Sequence, residues 1–370
     1  MIFNVDKQAE DYYGAKIFGN DAEKASLLDT INKRFDAIWT LYKEQRVLDW
    51  SEDEFDFTQC IADFENPGNK TESEVMIEQI MFQWETDSVA AQIPFALIAP
   101  YGPCLEVIAA ELRINENEIV HGATYSEIVK MAFKDPHEVL RTMLAHKHTH
   151  EKLSVVGTIL MQLKNNSNAL AYFGQEHFTD LEKTEHMILF YFVMYVLERL
   201  QFMASFGVTF TICQSGLFQA IGTAVKRICQ DEFEVHCEYR LEVLRQLIAT
   251  EHGKEAFKNV RPQLVVVLKE TLQAEAKFAV DLFQDGKRAI TGLNSDLLTK
   301  WSLFCGAPIA ANFGITEEEL DVVFPETNPL PHLENWIDIN KTQTANQETN
   351  NGAYKVNVID FDDAGIIYSI

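Results

Sequence analysis

Basic residues are scarce in this 370-residue chain, which carries 31 Lys and Arg against 56 Asp and Glu, for a formal net charge of -25. Nucleic-acid binding needs clustered Lys and Arg to neutralise phosphates, so the composition argues against a nucleic-acid partner. The sequence also offers no glycine-rich phosphate loop. Most of the acidic excess predicts a solvated surface, while a few carboxylates could instead be buried and bind cations.

Paired cysteines are missing as well. The six cysteines occur without C-x-x-C spacing and several lie in apolar surroundings, which predicts reduced, buried thiols rather than a disulfide frame or a zinc site. The first residues lack the basic start and apolar run of a signal peptide. The most apolar stretch, 187–197, is too short to span a bilayer before Glu198 and Arg199 interrupt it. We therefore expect a soluble, cytoplasmic protein with no membrane partner.

Helical periodicity is the main pattern that the sequence does contain. Its hydrophobic content of 47% suffices for a large core, and strand signals are few. The spacing of apolar residues predicts helices over about 22–48, 71–97, 104–133, 136–165 (one helix or two), 181–212, 215–250, 262–285 and 294–305. The histidines at 146, 148 and 150 fall in helical sequence, where positions two apart point in different directions, and we assign them to solvent.

The composition changes after residue 324. A Pro-containing segment is followed by a run rich in Asn, Gln and Thr and then by an acidic and apolar end. This pattern predicts a helical domain over 1–325 and a flexible C-terminal tail over 326–370 that ends in a docking peptide.

Several predicted helices carry polar groups that could share one ion. Glu118 and His121 stand three residues apart on one helix face, and Tyr125 lies one turn further along that face. Glu198 lies inside a helix that is apolar nearly all round. A bare carboxylate there would cost several kcal/mol. It should therefore be protonated, bound to a metal or, as the first alternative, paired with Arg199.

Six candidate ligands lie on four of the predicted helices. One Asp or Glu from each of two helices, with a Glu and a His from each of two others, is the ligand arrangement of ferritin-like di-metal proteins. The sequence therefore predicts an all-α, ferritin-like di-metal carboxylate helical bundle. Such oxygen- and nitrogen-rich ligation suits iron or manganese. The predicted metal ligands are Asp87, Glu118, His121, Glu198, Glu232 and His236.

At these residues the sequence resembles the small, radical-generating subunit of class I ribonucleotide reductase, from about Trp50 to the C-terminus. In that family a ligand Asp precedes the Glu-x-x-His motif by about thirty residues, which favours Asp87 over Glu85. By the same resemblance, Tyr125 is the radical tyrosine. Phe202, Phe206 and Ile228 would form the apolar pocket that protects it.

The resemblance also assigns residues to electron and radical transfer. Trp50 matches the family's electron-transfer tryptophan, and Asp231 would link it to His121 by orienting the imidazole. Tyr354 matches the tail tyrosine that passes the radical to the large subunit, with Tyr368 as a rival. The terminal peptide would dock on that subunit.

The fourth ligand motif departs from the family pattern Asp-Glu-x-x-His, because this chain has one more residue between Asp231 and His236. Alignment on His236 would put Phe233 at a ligand position, where it cannot bind metal. Glu232 and His236 still share a helix face at i,i+4, and a one-residue π-bulge could absorb the insertion. Glu232 is therefore the predicted ligand, with Glu234 as the alternative.

The resemblance implies a homodimer that holds two iron ions per chain, with manganese or a mixed pair as alternatives. The site would react with O2 and oxidise Tyr125, and the large subunit would then reduce ribonucleotides to deoxyribonucleotides. A ferritin-like oxidase or oxygenase with its own substrate would explain the ligands but not Tyr125 or the tail. An iron-storage protein would need a shorter, cage-forming chain.

Overall fold

A computed structural model describes residues 16–20, 30–31, 33–145 and 151–338. Within these ranges the chain forms helices joined by short turns, and its β-structure is limited to an isolated bridge between Ile290 and Leu293. The predicted all-α class is confirmed. The histidines at 146, 148 and 150 and the tail tyrosines Tyr354 and Tyr368 lie outside the described residues.

The α-helices are numbered here in chain order. They are α1 (Asp36–Val47), α2 (Ile61–Glu65), α3 (Lys70–Ala90), α4 (Pro94–Ile98), α5 (Leu105–Ala132), α6 (Pro136–Ala145), α7 (Ser154–Phe173), α8 (Asp180–Val196), α9 (Met203–Gln214), α10 (Gln219–Gln230), α11 (Cys237–Ala249), α12 (Glu251–Leu282), α13 (Ser295–Asn312), α14 (Glu317–Leu320) and α15 (Glu334–Ile337). Two π-helical turns make longer rods: Leu197–Phe202 joins α8 to α9, and Asp231–His236 joins α10 to α11.

Several helices differ in extent from the predicted ranges; for example, α7 continues to Phe173, and 71–97 is divided into α3 and α4. Helix α1 begins at Asp36, and the described residues just before it, 33–35, are not helical; there the backbone N–H groups of Arg34 and Phe35 donate to Glu106. Helices α12 and α13 continue through Pro262 and Pro308. A proline removes one helical hydrogen bond, but residues on both sides of each proline are buried, and this packing holds the helices together.

The rod formed by α8, its π-turn and α9 runs through the middle of the fold. It is 35 residues long (Asp180–Gln214) and contains an 18-residue window with a mean hydropathy of 1.4, so by length and composition it could cross a membrane. However, 94% of this apolar window is buried in the fold. The helix continues through Glu198 and Arg199, as the predicted range 181–212 requires. The rod is a core helix that packs against α11, α12 and α13.

The remaining ligand-bearing helices surround this rod. Helix α3 packs against α5 and α9, and α1 lies against α5 and α11. All six cysteines are buried and unpaired, as predicted.

The described start of the predicted tail, 326–338, also packs on α9. There the Trp336 ring stacks on Phe210 at 5.2 Å, and His332 hydrogen-bonds Thr211 at 2.9 Å. The division at residue 325 stays a prediction.

Candidate metal centre

Six ionisable side chains from four rods converge in the centre of the bundle, and each is at most 1% exposed. They form two overlapping groups whose ligand atoms lie within 4.8 Å of one another. The first half-site contains Asp87, Glu118, His121 and Glu232. The second half-site contains Glu118, Glu198, Glu232 and His236. Glu118 and Glu232 belong to both groups, which is the arrangement expected of carboxylates that bridge two ions.

The histidine Nδ1 atoms point at the shared carboxylates. The Nδ1 of His121 lies 3.4 Å from Glu118 and 3.2 Å from Glu232. The Nδ1 of His236 lies 3.5 Å from Glu118 and 3.3 Å from Glu232. His121 is also 3.8 Å from Asp87.

Unsatisfied polar atoms show that these residues fit a pair of metal ions. Among the described residues, both oxygens of Asp87, one oxygen each of Glu118, Glu198 and Glu232, and the Nδ1 of His121 are buried without a hydrogen bond. A buried polar atom without a partner costs about 1–3 kcal/mol, and more when it is charged. Their convergence on one point is explained if divalent cations supply the missing partners.

Burial and mutual repulsion also perturb the acids. Burial, with the negative charge of Glu118, raises the pKa of Asp87 well above its usual value, and burial raises the pKa of Glu198 to about 8. Burial alone would raise the pKa of Glu232 too, but the charges of His236 and His121 lower it to about 2. Four carboxylates this close repel one another, so the cluster attracts cations.

A hydrogen-bonded chain orients His121 from behind. The His121 Nε2 lies 3.1 Å from Asp231 Oδ2, and the indole N–H of Trp50 donates to the same oxygen at 2.7 Å. The Trp50 and His121 rings also stack at 5.8 Å. With its Nε2–H donating to Asp231, the imidazole presents the Nδ1 lone pair to a metal.

The other ligand histidine is oriented by a neutral group. The side-chain amide of Gln45, on α1, contacts the Nε2 of His236 at 3.0 Å. Gln45 was not among the predicted site residues. The sequence feature that could have indicated it is a glutamine on the apolar face of an amphipathic helix, a position that usually holds a hydrophobic residue.

The extra residue in the fourth motif is absorbed by the π-turn Asp231–His236. This turn brings Glu232 into both half-sites, whereas Glu234 is half-buried and is not a member of either. Phe233 turns away from the cluster, and its ring lies under the guanidinium of Arg199 at 4.4 Å. Glu85, to which Asp87 was preferred as a ligand, lines a cavity beside α3.

The expected pairing of Glu198 with Arg199 was wrong. Arg240, one turn after His236, reaches Glu198 instead, with its Nε 3.2 Å from Oε1. Neighbouring residues on a helix point about 100° apart, so Arg199 cannot follow Glu198 into the centre.

Tyr125 is fully buried, and its hydroxyl has no hydrogen-bond partner in the part of the chain that is described. Burial raises the pKa of this phenol well above its usual value, and the charges of Asp87, Glu232 and Glu118 add to the effect. The three aromatic or aliphatic residues assigned to its pocket are buried, and the rings of Phe202 and Phe206 stack at 5.6 Å.

The family model described as "Ribonucleotide reductase, small chain" matches residues 29–329. The chain belongs to this family. It is the small subunit of a class I ribonucleoside-diphosphate reductase, an oxidoreductase that works with a large subunit. This membership leaves the independent oxidase and the iron store without support.

Individual relatives of the small-chain family are distant but cover most of the chain. The ribonucleoside-diphosphate reductase subunit beta of Buchnera aphidicola subsp. Schizaphis graminum is 22% identical over 342 residues, which is 89% of this chain and 88% of the relative. The subunit beta of Enterobacteria phage T4 is 23% identical over 355 residues and covers 87% of each chain.

Solved structures show the same fold. The ribonucleotide reductase R2 subunit from Clostridium botulinum superimposes with a TM-score of 0.69 at 17% identity, over 92% of this chain and 98% of that one. The dimanganese(II)-NrdF of Streptococcus sanguinis gives a TM-score of 0.62 at 15% identity, over 85% and 97%. The ferritin-like form of the predicted bundle is thereby confirmed.

Proposed function

We propose that this small subunit holds two iron ions at the six converging ligands and stores an oxidising equivalent on Tyr125 as a tyrosyl radical. The observation that carries the proposal is the set of unsatisfied, buried ligand atoms beside a phenol that has no hydrogen bond among the described residues. Manganese, or a mixed pair, suits the same ligands. The bound metals would supply the one-electron oxidation of Tyr125 after reaction with O2.

The protein's own residues then have separate tasks. The six ligands bind and orient the ions. Burial of Tyr125 among apolar side chains excludes water and reductants from an oxidised phenol. The hydrogen bonds from Trp50 and His121 to Asp231 form a continuous path from Trp50 to the cluster, which suits electron transfer to the site.

An apolar cavity supports access for O2. Its volume is about 190 Å³ and its lining includes Ala90 and Met194. Ala90 is three residues after Asp87 and Met194 is four before Glu198, so each stands about one helical turn from a ligand, although neither ligand lines the cavity. Dioxygen is apolar and partitions into such a space.

The tail and the dimer complete the proposal. The chain's terminal peptide would dock on the large subunit and Tyr354 would receive the radical, with Tyr368 as the alternative. Helix α5 exposes Leu112 by 49% and Ile119 by 61%, seven residues apart on one face. Such a stripe would be covered in a homodimer. The assembly would act in the cytoplasm, and no nucleic acid or membrane would take part.

The test is electron paramagnetic resonance on apo-protein that has been loaded anaerobically with ferrous iron and exposed to O2. We expect a tyrosyl signal in the unmodified protein and none in Tyr125→Phe, with iron binding unchanged in both. Tyr191→Phe is the matched control, since Tyr191 is equally buried but hydrogen-bonds Glu111 instead of facing the ligands. Bound iron without a tyrosyl signal in the unmodified protein would refute the radical role.

A further inference from the structure

A fully buried arginine stands behind only one of the two half-sites. Arg240, on α11, donates from Nε to Glu198 Oε1 at 3.2 Å, and its NH1 group donates to Oε1 of a second buried acid, Glu111. Arg240 thus lies between a metal ligand and a carboxylate that is not part of either half-site. Neither Arg240 nor Glu111 has a task in the proposed function.

Two tyrosines hold Glu111 in this position. The hydroxyls of Tyr191 and Tyr239 both donate to Glu111 Oε1 at 2.9 Å. Both phenols are buried, and the Arg240 guanidinium lies 5.8 Å and 5.3 Å from their ring centroids. The guanidinium is therefore fixed by an anion and two rings on the side away from the metal site, so it presents its Nε to Glu198 in one orientation.

One carboxylate oxygen of Glu198 is therefore already engaged in a hydrogen bond. Its Oε1 accepts from Arg240, while its Oε2 has no hydrogen bond from the described residues and remains for an ion. In the first half-site, by contrast, both oxygens of Asp87 are without a hydrogen bond from those residues. Arg240 also places a positive charge beside the second half-site, which disfavours a divalent ion there.

We propose that Arg240 is a positioning residue that makes the two half-sites unequal: it restricts Glu198 to binding through a single oxygen and weakens the affinity of the second half-site for its ion. Glu111 moderates this effect, because its negative charge partly offsets that of Arg240. The inference rests on the proposed two-metal site.

The experiment is an anaerobic titration of the full-length apo-protein with Mn(II) alone, in which the free ion is quantified by its electron paramagnetic resonance signal. It requires neither O2 nor turnover. We expect two resolved binding steps. In the double variant Glu111→Gln/Arg240→Gln, which removes the buried charges as a pair, the second step should tighten by at least about tenfold while the first changes less than about threefold.

The single variant Glu111→Gln should move the second step in the opposite direction. It removes the negative charge of Glu111 that partly offsets Arg240, so the second ion should bind several-fold more weakly, with the first step unchanged. A purely structural role would weaken metal binding in both variants and would not reverse the sign. This single variant also decides the matter if the double variant fails to fold.

Tyr191→Phe is the matched control. It removes one hydrogen bond to Glu111 but no charge, so the ratio of the two affinities should stay within about threefold of that of the unmodified protein. Parallel shifts of both steps, or an unchanged second step in Glu111→Gln, would overturn the role of Arg240 and leave the two-metal site intact. An unmodified protein that binds no Mn(II) and no Fe(II) would overturn the proposed function together with this inference.

Discussion

Two segments of this protein supply a Glu and a His to the same cluster, and they do so with different backbones. In α5 the pair Glu118 and His121 stands three residues apart on a regular α-helix. In the α10–α11 rod the pair Glu232 and His236 stands four apart, across a π-helical turn. Both imidazoles nevertheless present Nδ1 to the shared carboxylates at 3.2–3.5 Å.

The difference shows how a helix can carry an inserted residue without losing its register. A π-turn takes up one additional residue locally, so the buried face of α11 continues the buried face of α10. A regular α-helix has no additional residue of this kind to lose. Loss of one residue between the ligands should therefore disrupt α5 but be tolerated in the α10–α11 rod.

The largest effect should come from deleting Ile119, between the ligands of α5. Removal of one residue rotates the rest of the helix by about 100°, which carries Tyr125, Ile128 and Val129 out of the core. We expect loss of Mn(II) binding and of cooperative unfolding, as measured by metal titration and circular dichroism. Ile119→Ala should keep Mn(II) binding, because it shortens a side chain that is 61% exposed in the single chain without changing the register of the helix.

Deletion of Phe233 is the corresponding change in the other segment. The π-turn should relax into a regular helix and leave Glu232 three residues before the histidine, as in α5. We expect two Mn(II) ions still to bind and the midpoint of thermal unfolding to fall only slightly. If this deletion proves as damaging as that of Ile119, the π-turn is not what absorbs the insertion.

A smaller change with a local effect distinguishes the two acids of the fourth motif. Glu232 contributes to both half-sites and Glu234 to neither. Glu232→Gln should therefore reduce the Mn(II) stoichiometry from two to one or less, while Glu234→Gln should leave it at two. The reverse result would make Glu234 the ligand and would place the insertion on the other side of the motif.

The spacing of residues predicted the ligand pair of α5 directly. It predicted the ligand pair of the α10–α11 rod only with an added assumption about the backbone. Glu118 and His121 fit a regular helix, so periodicity alone puts them on one face. Glu232 and His236 also share a face at i,i+4, but matching them to the family motif required a π-bulge for the inserted residue. Asp87 was preferred to Glu85 only through the family resemblance. The sequence pattern records positions along a helix and not the backbone hydrogen bonding that shifts them.

Contacts between residues on different helices could not be predicted from the sequence. Arg199, next to Glu198 in sequence, was the obvious partner, yet adjacent helical positions diverge, and Arg240 from another rod fills that place. Gln45 and Glu111 were also missed, since each is distant in sequence from the group that it contacts. Similarly, a proline predicts a helix end, but burial on both sides of Pro308 outweighs the lost hydrogen bond.

The smallest predicted effect concerns the contact that links the two π-turns. The Arg199 guanidinium lies over the Phe233 ring at 4.4 Å, and a half-buried cation–π pair of this kind is worth about 1 kcal/mol. Phe233→Leu should therefore lower the free energy of unfolding in urea by about that amount while leaving two Mn(II) ions bound. The paired variant Arg199→Met and the double variant complete a cycle. A coupling energy near zero would mean that Phe233 contributes only apolar burial, and that the two π-turns hold their ligands independently of each other.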